Sequence, residues 1–326
     1  MKILIYGMGA IGSHLAYCLY KNKAKITGVC RGKHYSHIKN KGLKIKIYEN
    51  KIKLKEDVIK KNKNFLIYNN LNFKNKKFDI IFITVKIHQI TDNMLKEISK
   101  FCGPNTAIVP PCTDIPNWIY PKTNSIKYNK KNLTFLKYFF LENIIAITMW
   151  VSGRLIKPGV VHIRHIQRGY PIMNIKNKMK KKTIYLRKCL KKYCKSPIVK
   201  NFTSEAIIKV TNSFAFNLVA LNTNYENFEI NLSINAKKKI LEILKETDKI
   251  IIKLGLKVPQ TPESRIKQTL SSNVHIMSML EDFRNGKKIE INNQWDSIKN
   301  LSTALGIKLV HSNKLYDKVK RKILTI

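Results

Sequence analysis

Arginine and acidic residues are scarce in this chain of 326 residues. Only eight of its 62 basic residues are arginine, and aspartate and glutamate together number 20. Base readout and bidentate phosphate contacts favour arginine, and the lysines are spread along the chain without a long basic tail. The formal net charge of +42 therefore predicts weak, salt-sensitive adhesion to polyanions, but no specific nucleic-acid partner.

Long apolar segments and closely paired cysteines are also missing. No apolar run approaches the roughly 20 residues that cross a bilayer, and the first residues leave no room for a signal peptide. We therefore expect a cytoplasmic protein with no membrane partner. The six cysteines contain no C-x-x-C pair, and no cysteine–histidine cluster has the spacing of zinc ligands. Free thiols and no metal are the expectation.

The first 90 residues alternate strand and helix signals, which is typical of a parallel α/β sheet. Residues 40–78 are less regular and predict small antiparallel strands and lysine-rich loops. The other predicted elements of this half are strands at residues 2–6, 24–30, 79–85, 105–110 and 143–151 and a helix at residues 11–20.

The pattern becomes helical after Pro197. Ser204 is expected to cap the first of these helices, and Gly255, Gly286 and Gly306 are placed to end others. We therefore predict an α/β domain over residues 1–197 and an all-α domain over residues 198–326. The predicted helices lie at residues 204–221, 234–254, 272–284 and 293–305.

A glycine motif follows the first predicted strand and opens the first helix. Its residues are Gly7, Met8, Gly9, Ala10, Ile11 and Gly12. Gly7 allows a tight turn, Gly9 lets the backbone approach a pyrophosphate, and Gly12 lets helix and strand pack closely. The motif predicts a Rossmann-type dinucleotide site at the positive end of the helix dipole.

The end of the second predicted strand distinguishes between the two nicotinamide cofactors. NAD enzymes place an acidic residue there to bind the ribose hydroxyls. Here the strand ends in Arg31, Gly32 and Lys33, with no acid nearby. A cation suits a 2′-phosphate, so we predict that Arg31 selects NADP(H).

With these motifs in view, the sequence resembles the ketopantoate reductase (2-dehydropantoate 2-reductase) family over nearly its whole length. The residue types and their order carry the resemblance more than any single motif does. Beyond the glycine motif, the residues that carry it are Cys30-Arg31-Gly32, Thr84-Val85-Lys86, Pro158-Gly159-Val160-Val161-His162, Lys209 with Asn217, Ser278-Met279-Leu280-Glu281-Asp282 and Glu290.

The resemblance implies a Rossmann domain followed by a helical domain like the C-terminal domain of 6-phosphogluconate dehydrogenase. It also implies an NADPH-dependent oxidoreductase that reduces ketopantoate to D-pantoate, on the route to pantothenate and coenzyme A. Negative charge builds on the carbonyl oxygen during hydride transfer and calls for a proton donor. The family places a lysine in that role, which implies Lys209, and Glu290 would orient this lysine or accept a hydrogen bond from the substrate.

The resemblance further assigns substrate contacts to Asn217, Ser278 and Lys86, and Lys86 also approaches the cofactor. A second family asparagine, four residues after the lysine, is replaced by Ser213. A family Asn-Gly pair is replaced by Thr113-Asp114. Thr113 keeps a hydrogen-bonding group for the substrate, whereas Asp114 adds a negative charge near an anion.

Because of these departures, the sequence does not decide which substrate the protein uses. The alternatives are an NADP-dependent reductase of another 2-keto or opine-type substrate and an NADP-binding homologue with weakened catalysis. A basic module that binds nucleic acid or membrane is the third class. The predicted partner is a small 2-keto acid, and the predicted assembly is a monomer or a homodimer.

Overall fold

The structure is a computed structural model that describes residues 1–49, 52–74, 77–110, 114–115, 135–271 and 275–324. Their contacts divide into two compact units. Unit 1 comprises the described residues within Met1–Cys112 and Leu133–Phe202. Unit 2 comprises residues 114–115 and those described within Thr203–Ile326. The predicted domain boundary at residue 197 stays a prediction.

Unit 1 combines eleven strands with helices. Its helices are α1 (Ala10–Tyr20), α2 (Gly32–Lys41), α3 (Asp92–Ser99) and α4 (Lys180–Lys191). Its strands are β1 (Lys2–Tyr6), β2 (Lys25–Val29), β3 (Leu43–Glu49), β4 (Ile52–Ile59), β5 (Phe65–Tyr68), β6 (Ile80–Ile83), β7 (Ala107–Val109), β8 (Ile145–Ile147), β9 (Trp150–Lys157), β10 (Val160–Gly169) and β11 (Ile172–Asn174).

A five-stranded parallel sheet organises this unit, with strand order β5-β2-β1-β6-β7. The central strand β6 is a continuous apolar run with all four residues buried, and β1 buries Ile3, Leu4 and Ile5. Such runs are typical of parallel strands that are covered on both faces. A second sheet, of order β4-β3-β10-β9, packs against α1 through β9 and β10. The parallel α/β organisation predicted for this half is confirmed.

The segment between β2 and β6 departs from the prediction. The antiparallel pair β3–β4 is confirmed, but β5 joins the main sheet in parallel beside β2, with Phe65 opposite Ile26. Helix α2 was not predicted at all. Four-residue strands such as β5 are too short to show a period, and long-range pairing decides their direction.

Unit 2 is entirely helical in its described part. Its core includes a stack of Phe214, Trp295 and Tyr316, with ring centroids 5.7 and 4.9 Å apart. Its helices are α5 (Phe202–Thr223), α6 (Asn227–Leu232), α7 (Ile234–Lys253), α8 (Pro262–Leu270), α9 (Ser278–Arg284), α10 (Ile291–Ala304) and α11 (Val310–Leu324). The predicted fold class, an α/β half followed by an all-α half, is confirmed.

The ends of these helices test several predictions. Gly255, Gly286 and Gly306 follow α7, α9 and α10 with φ of 72°, 63° and 69°, so their predicted role as terminators is confirmed. The predicted cap at Ser204 is wrong, because α5 begins at Phe202 and Ser204 lies buried inside it. Helix α9 begins only at Ser278, and the predicted start at residues 272–274 lies outside the described residues.

No helix in the described part of the chain is long and apolar enough to span a membrane.

Candidate active site

Steric restrictions within unit 1 explain two of the three glycines in the motif that joins β1 to α1. Gly7 has a φ of 105°, and a Cβ there would lie 2.7 Å from Cγ1 of Val85. A Cβ at Gly12 would fall against the carbonyl oxygen of Gly7 and 2.7 Å from Oγ1 of Thr84. Gly9 differs, because a Cβ added at this position would have no described atom within 4 Å. Gly9 therefore leaves open space beside the backbone.

The same turn presents the positive end of α1. Gly9 is the N-cap of this helix, and no described side chain caps its first turn, which also contains no acidic residue. The backbone N–H groups of Gly7 and Met8 donate to the carbonyl of Val29 at 3.0 and 3.1 Å, which ties the turn to the end of β2. An uncapped helix start beside open space fits an anion such as a pyrophosphate.

Two further side chains hold this turn in place. Thr84 donates its hydroxyl to the carbonyl of Gly7 at 2.7 Å. His34 contacts the carbonyl of Met8 through Nε2 at 2.7 Å and the backbone N–H of Gly159 through Nδ1 at 2.9 Å. An N–H must donate to Nδ1 and a carbonyl must accept from Nε2, so His34 is neutral with its proton on Nε2. Consistently, burial lowers the pKa of His34.

The sequence motifs did not single out His34. The nearest signals in the sequence are Arg31, three residues earlier, and the Pro158-Gly159 pair, which carries part of the family resemblance. Gly159 has a φ of 75°, and a Cβ there would collide with the ring of His37. The glycine therefore allows the second sheet to approach α2 closely enough for His34 to bridge them.

The two predicted cofactor cations lie near the carboxyl ends of the parallel strands. Arg31 is exposed and is the N-cap of α2, a helix without an acidic residue in its first turn. Lys86 is half-buried and precedes the 3₁₀ turn Ile87–Gln89, where its backbone N–H donates to Oε1 of Gln89 at 3.2 Å. Both positions suit contacts to an anionic dinucleotide, and both assignments stay predictions.

In unit 2, helix α5 carries Lys209 and Asn217. Lys209 is half-buried between the buried side chains of Ile208 and Val210. Asn217 is 2% exposed; its Oδ1 accepts the backbone N–H of Met279 at 2.9 Å, and its amide group donates to the carbonyl of Ser213 at 2.7 Å. Ser278 is exposed at the start of α9. Asn217 therefore brings the predicted residue Ser278 next to the helix of Lys209.

Glu290 lies buried at the start of α10, where it is the N-cap residue. Asp114, which the sequence suggested only as an unfavourable charge, is buried in the same unit. Burial, and then repulsion by Glu290 and Asp296, raises the pKa of Asp114 to about 7 against hydrogen bonds from Ser297 and the N–H of Ile115. Asp114 is therefore a buried carboxyl group whose pKa lies well above its ordinary value. The predicted contact residue Thr113 lies outside the described residues.

Comparisons with known proteins agree with this architecture. Residues 3–111 match the model of the family described as ketopantoate reductase PanE/ApbA. A 2-dehydropantoate 2-reductase of Mesorhizobium japonicum is 22% identical over 303 residues, which are 89% of this chain and 88% of that protein.

Solved structures share the whole fold at low sequence identity. One from Ralstonia solanacearum, described as a ketopantoate reductase, has a TM-score of 0.82 and 15% identity, covering 99% of this chain and 98% of that one. A D-mandelate dehydrogenase with NADH and anilino(oxo)acetate has a TM-score of 0.80 and 18% identity, covering 100% and 99%. The comparisons agree with the predicted resemblance to the ketopantoate reductase family, and the solved structures confirm the predicted fold. Over residues 3–111, the chain is therefore similar to the ketopantoate reductase family.

Proposed function

We propose that this protein reduces a 2-keto acid with NADPH, and that its first candidate substrate is 2-dehydropantoate (ketopantoate), reduced to D-pantoate. The observation that carries this proposal is the open space at Gly9, beside the uncapped start of α1. That arrangement fits the pyrophosphate of a dinucleotide. The family match of residues 3–111 supports the same conclusion.

Arg31 is the residue that we expect to select NADPH over NADH. Its guanidinium stands at the N-terminus of α2, so a 2′-phosphate there would meet both a cation and the positive end of a helix dipole. Residues 30–33 contain no carboxylate that could bind the two ribose hydroxyls of NADH. Lys86 is the second cation within reach of the strand ends.

When bound, NADPH supplies a hydride to the keto carbon. Lys209 then donates a proton to the carbonyl oxygen, on which negative charge develops. Glu290, buried at the N-cap of α10 in the same unit, orients Lys209 or accepts a hydrogen bond from the substrate in this proposal. Ser278 binds the substrate carboxylate, and Asn217 holds Ser278 near α5 through the N–H of Met279.

The test is NADPH consumption, followed at 340 nm, with ketopantoate, pyruvate, 2-ketoisovalerate and benzoylformate, and with NADH as the comparison coenzyme. Lys209→Ala should lower kcat by about 10²–10⁴-fold and leave NADPH binding unchanged. The matched control is Lys267→Ala, because Lys267 is an exposed lysine on α8 of the same unit. Normal turnover by Lys209→Ala would remove the lysine from this role, and failure of every keto acid would reject the proposed function.

The panel also addresses the second candidate, which is reduction of a different 2-keto acid with the same coenzyme. Asp114 favours this candidate, because the Thr113-Asp114 pair replaces the neutral Asn-Gly pair of the family. A higher kcat/KM with benzoylformate, the keto acid related to mandelate, would assign the protein to aromatic substrates. Reduction of ketopantoate alone would confirm the first candidate.

A further inference from the structure

Arg284, the last residue of α9, joins the end of this helix to the loop between α5 and α6. All three nitrogens of its guanidinium group donate hydrogen bonds. Nε donates to Oδ1 of Asn224 at 3.1 Å, and Nη2 donates to the carbonyl oxygen of Asn224 at 2.7 Å. Nη1 donates to Oε1 of Glu226 at 2.6 Å. Arg284 therefore contacts two residues of one short loop at three points.

The loop that Arg284 contacts is itself held by the helices on either side of it. Asn224 follows α5 with a φ of 63°, and its backbone N–H donates to the carbonyl of Ala220 at 2.7 Å. Glu226 is the N-cap of α6, and its backbone N–H donates to Oε2 of Glu229 at 2.8 Å. Because both ends of the loop are hydrogen-bonded to a helix, the loop can act as a support for α9.

Hydrogen bonds also join the other end of α9 to the same two helices. The carbonyl of His275, three residues before α9, accepts the backbone N–H of Asn227 at 3.2 Å. The backbone N–H of Met279 donates to Oδ1 of Asn217 at 2.9 Å. A helix of seven residues, such as α9, is not stable by itself. Its tertiary contacts therefore decide where it lies, and Arg284 supplies those of its last turn.

The residue type at position 284 suits this task. Only eight of the 62 basic residues of the chain are arginine. The side chains of Arg284 and Glu226 are each 36% exposed, and an isolated ion pair at such a position contributes little. A planar guanidinium group differs from an ammonium group, because it donates from several fixed positions at once. The three acceptors around Arg284 require that geometry, which indicates a structural connection and not a surface charge.

We propose that Arg284 is a positioning residue, which holds the end of α9 so that Ser278, at the start of this helix, stays beside the helix of Lys209. This inference rests on the proposed function, in which Ser278 binds the carboxylate of the keto acid. That contact is made equally in the bound substrate and in the transition state. Displacement of Ser278 therefore raises the KM of the keto acid and leaves kcat nearly unchanged.

Hydrogen exchange followed by mass spectrometry tests the connection without any substrate. In Arg284→Ala, we expect peptides from residues 278–286 to exchange about tenfold faster, the factor that corresponds to loss of one charge-assisted hydrogen bond. Peptides from β1 and β6 in unit 1 should keep their rates. The matched control is Arg321→Ala, because Arg321 is exposed on α11 and its Nε donates to the carbonyl of Asp317 on the same helix. Unchanged exchange in residues 278–286 of Arg284→Ala would overturn the proposal.

Steady-state kinetics test whether the connection matters to the substrate. For Arg284→Ala, the KM of the keto acid should rise about tenfold, while kcat and the Kd of NADPH stay within about twofold of the wild type. Arg321→Ala should follow the wild type. Arg284→Lys keeps the positive charge but cannot donate to all three acceptors, so it should recover only part of the KM.

Three kinetic results would contradict the proposal. A normal KM for Arg284→Ala would show that the position of α9 does not depend on Arg284. Full recovery by Arg284→Lys would show that the charge alone suffices. A loss of NADPH affinity equal to the loss of substrate affinity would indicate general damage to the fold.

The two measurements separate failure of this inference from failure of the proposed function. If the wild type reduces no 2-keto acid, the proposed function fails, and hydrogen exchange still decides whether Arg284 holds α9. If the wild type reduces a keto acid and Arg284→Ala does so with the same KM, only the inference about Arg284 fails.

Discussion

The side-chain oxygen of Asn217 accepts a hydrogen bond from the backbone N–H of Met279, at 2.9 Å. Asn217 belongs to α5, the helix of Lys209, and Met279 belongs to α9, the helix that begins with Ser278. The amide group of Asn217 also donates to the carbonyl of Ser213 at 2.7 Å. One buried amide thus connects a proposed proton donor to a proposed substrate-binding hydroxyl.

We predict that Asn217→Ala lowers stability and also raises the KM of the keto acid. Loss of the acceptor leaves the N–H of Met279 unsatisfied in a buried place, which costs about 1–3 kcal/mol. The start of α9, and with it Ser278, should then shift. Urea unfolding and initial rates check both effects against Asn300→Ala, a half-buried asparagine of α10. Lower stability with an unchanged KM would restrict Asn217 to a structural role.

Gly9 and Gly12 should respond differently to alanine. At Gly9, with a φ of −66°, the added methyl group meets no described protein atom, so stability should change by less than about 0.5 kcal/mol. The methyl group would occupy space that the pyrophosphate needs, so the Kd of NADPH should rise tenfold or more. If Gly9→Ala folds and binds NADPH as tightly as the wild type does, the turn at Gly9 is not the pyrophosphate site.

Gly12→Ala should instead destabilise the fold. Its methyl group would press against the carbonyl of Gly7 and the hydroxyl of Thr84, and overpacking of this kind costs about 1–3 kcal/mol. Thermal and urea unfolding of Gly12→Ala and Gly9→Ala, measured side by side, separate a packing role from a binding role.

Arg31→Asp should reverse the preference for coenzyme. The change removes a charge-assisted contact to the 2′-phosphate, worth about 1.5–3 kcal/mol, and adds a carboxylate that can bind ribose hydroxyls. The KM of NADPH should rise at least tenfold, whereas that of NADH should stay constant or fall. Lys39→Asp, at an exposed position in the last turn of α2, controls for net charge. Equal effects on both coenzymes would refute the role of Arg31.

His14 should make unit 1 sensitive to acid. Its Nδ1 lies 2.8 Å from the hydroxyl of Tyr170, and burial lowers its pKa to about 4 from a usual value of 6.5. Between these two pH values the unfolded chain binds a proton that the folded protein does not, so stability falls as the pH drops from 6.5 to 4. The full loss is about 3 kcal/mol.

Urea unfolding at a series of pH values measures this loss. His14→Gln has no group that titrates in this range, so its stability curve should be flatter by the same amount. Parallel curves for the wild type and His14→Gln would show that His14 is not held neutral.

Parts of the fold that depend on local sequence could be predicted. The glycine motif identified the turn between β1 and α1, and the three terminating glycines identified helix ends, because a positive φ or a close approach restricts the residue at these positions. Helix α2 and strand β5 were missed, since their direction and pairing depend on contacts with distant strands. Ser204 shows the same limit: a residue type that favours a cap is buried as the third residue of the helix.

The roles of side chains in the site were harder to predict from the sequence than the roles of its glycines. The motif around Asn217 suggested a substrate contact, but only coordinates show that Met279 and Ser213 use its amide. His34 joins Met8 to Gly159 across more than a hundred residues of chain, and no local pattern signals such a bridge. The sequence indicates only a negative charge at Asp114, whereas burial raises the pKa of its carboxyl group.

The most direct test of the account is transfer of the hydride itself. NADPH deuterated at C4 of the nicotinamide, on each face in turn, is incubated with the protein and the best keto acid of the panel, and the product is analysed by mass spectrometry and ¹H NMR. The account predicts a 2-hydroxy acid with one deuterium on C2 from one of the two faces, and almost none of it with Lys209→Ala. A product without deuterium from either face, or no product at all, would contradict it.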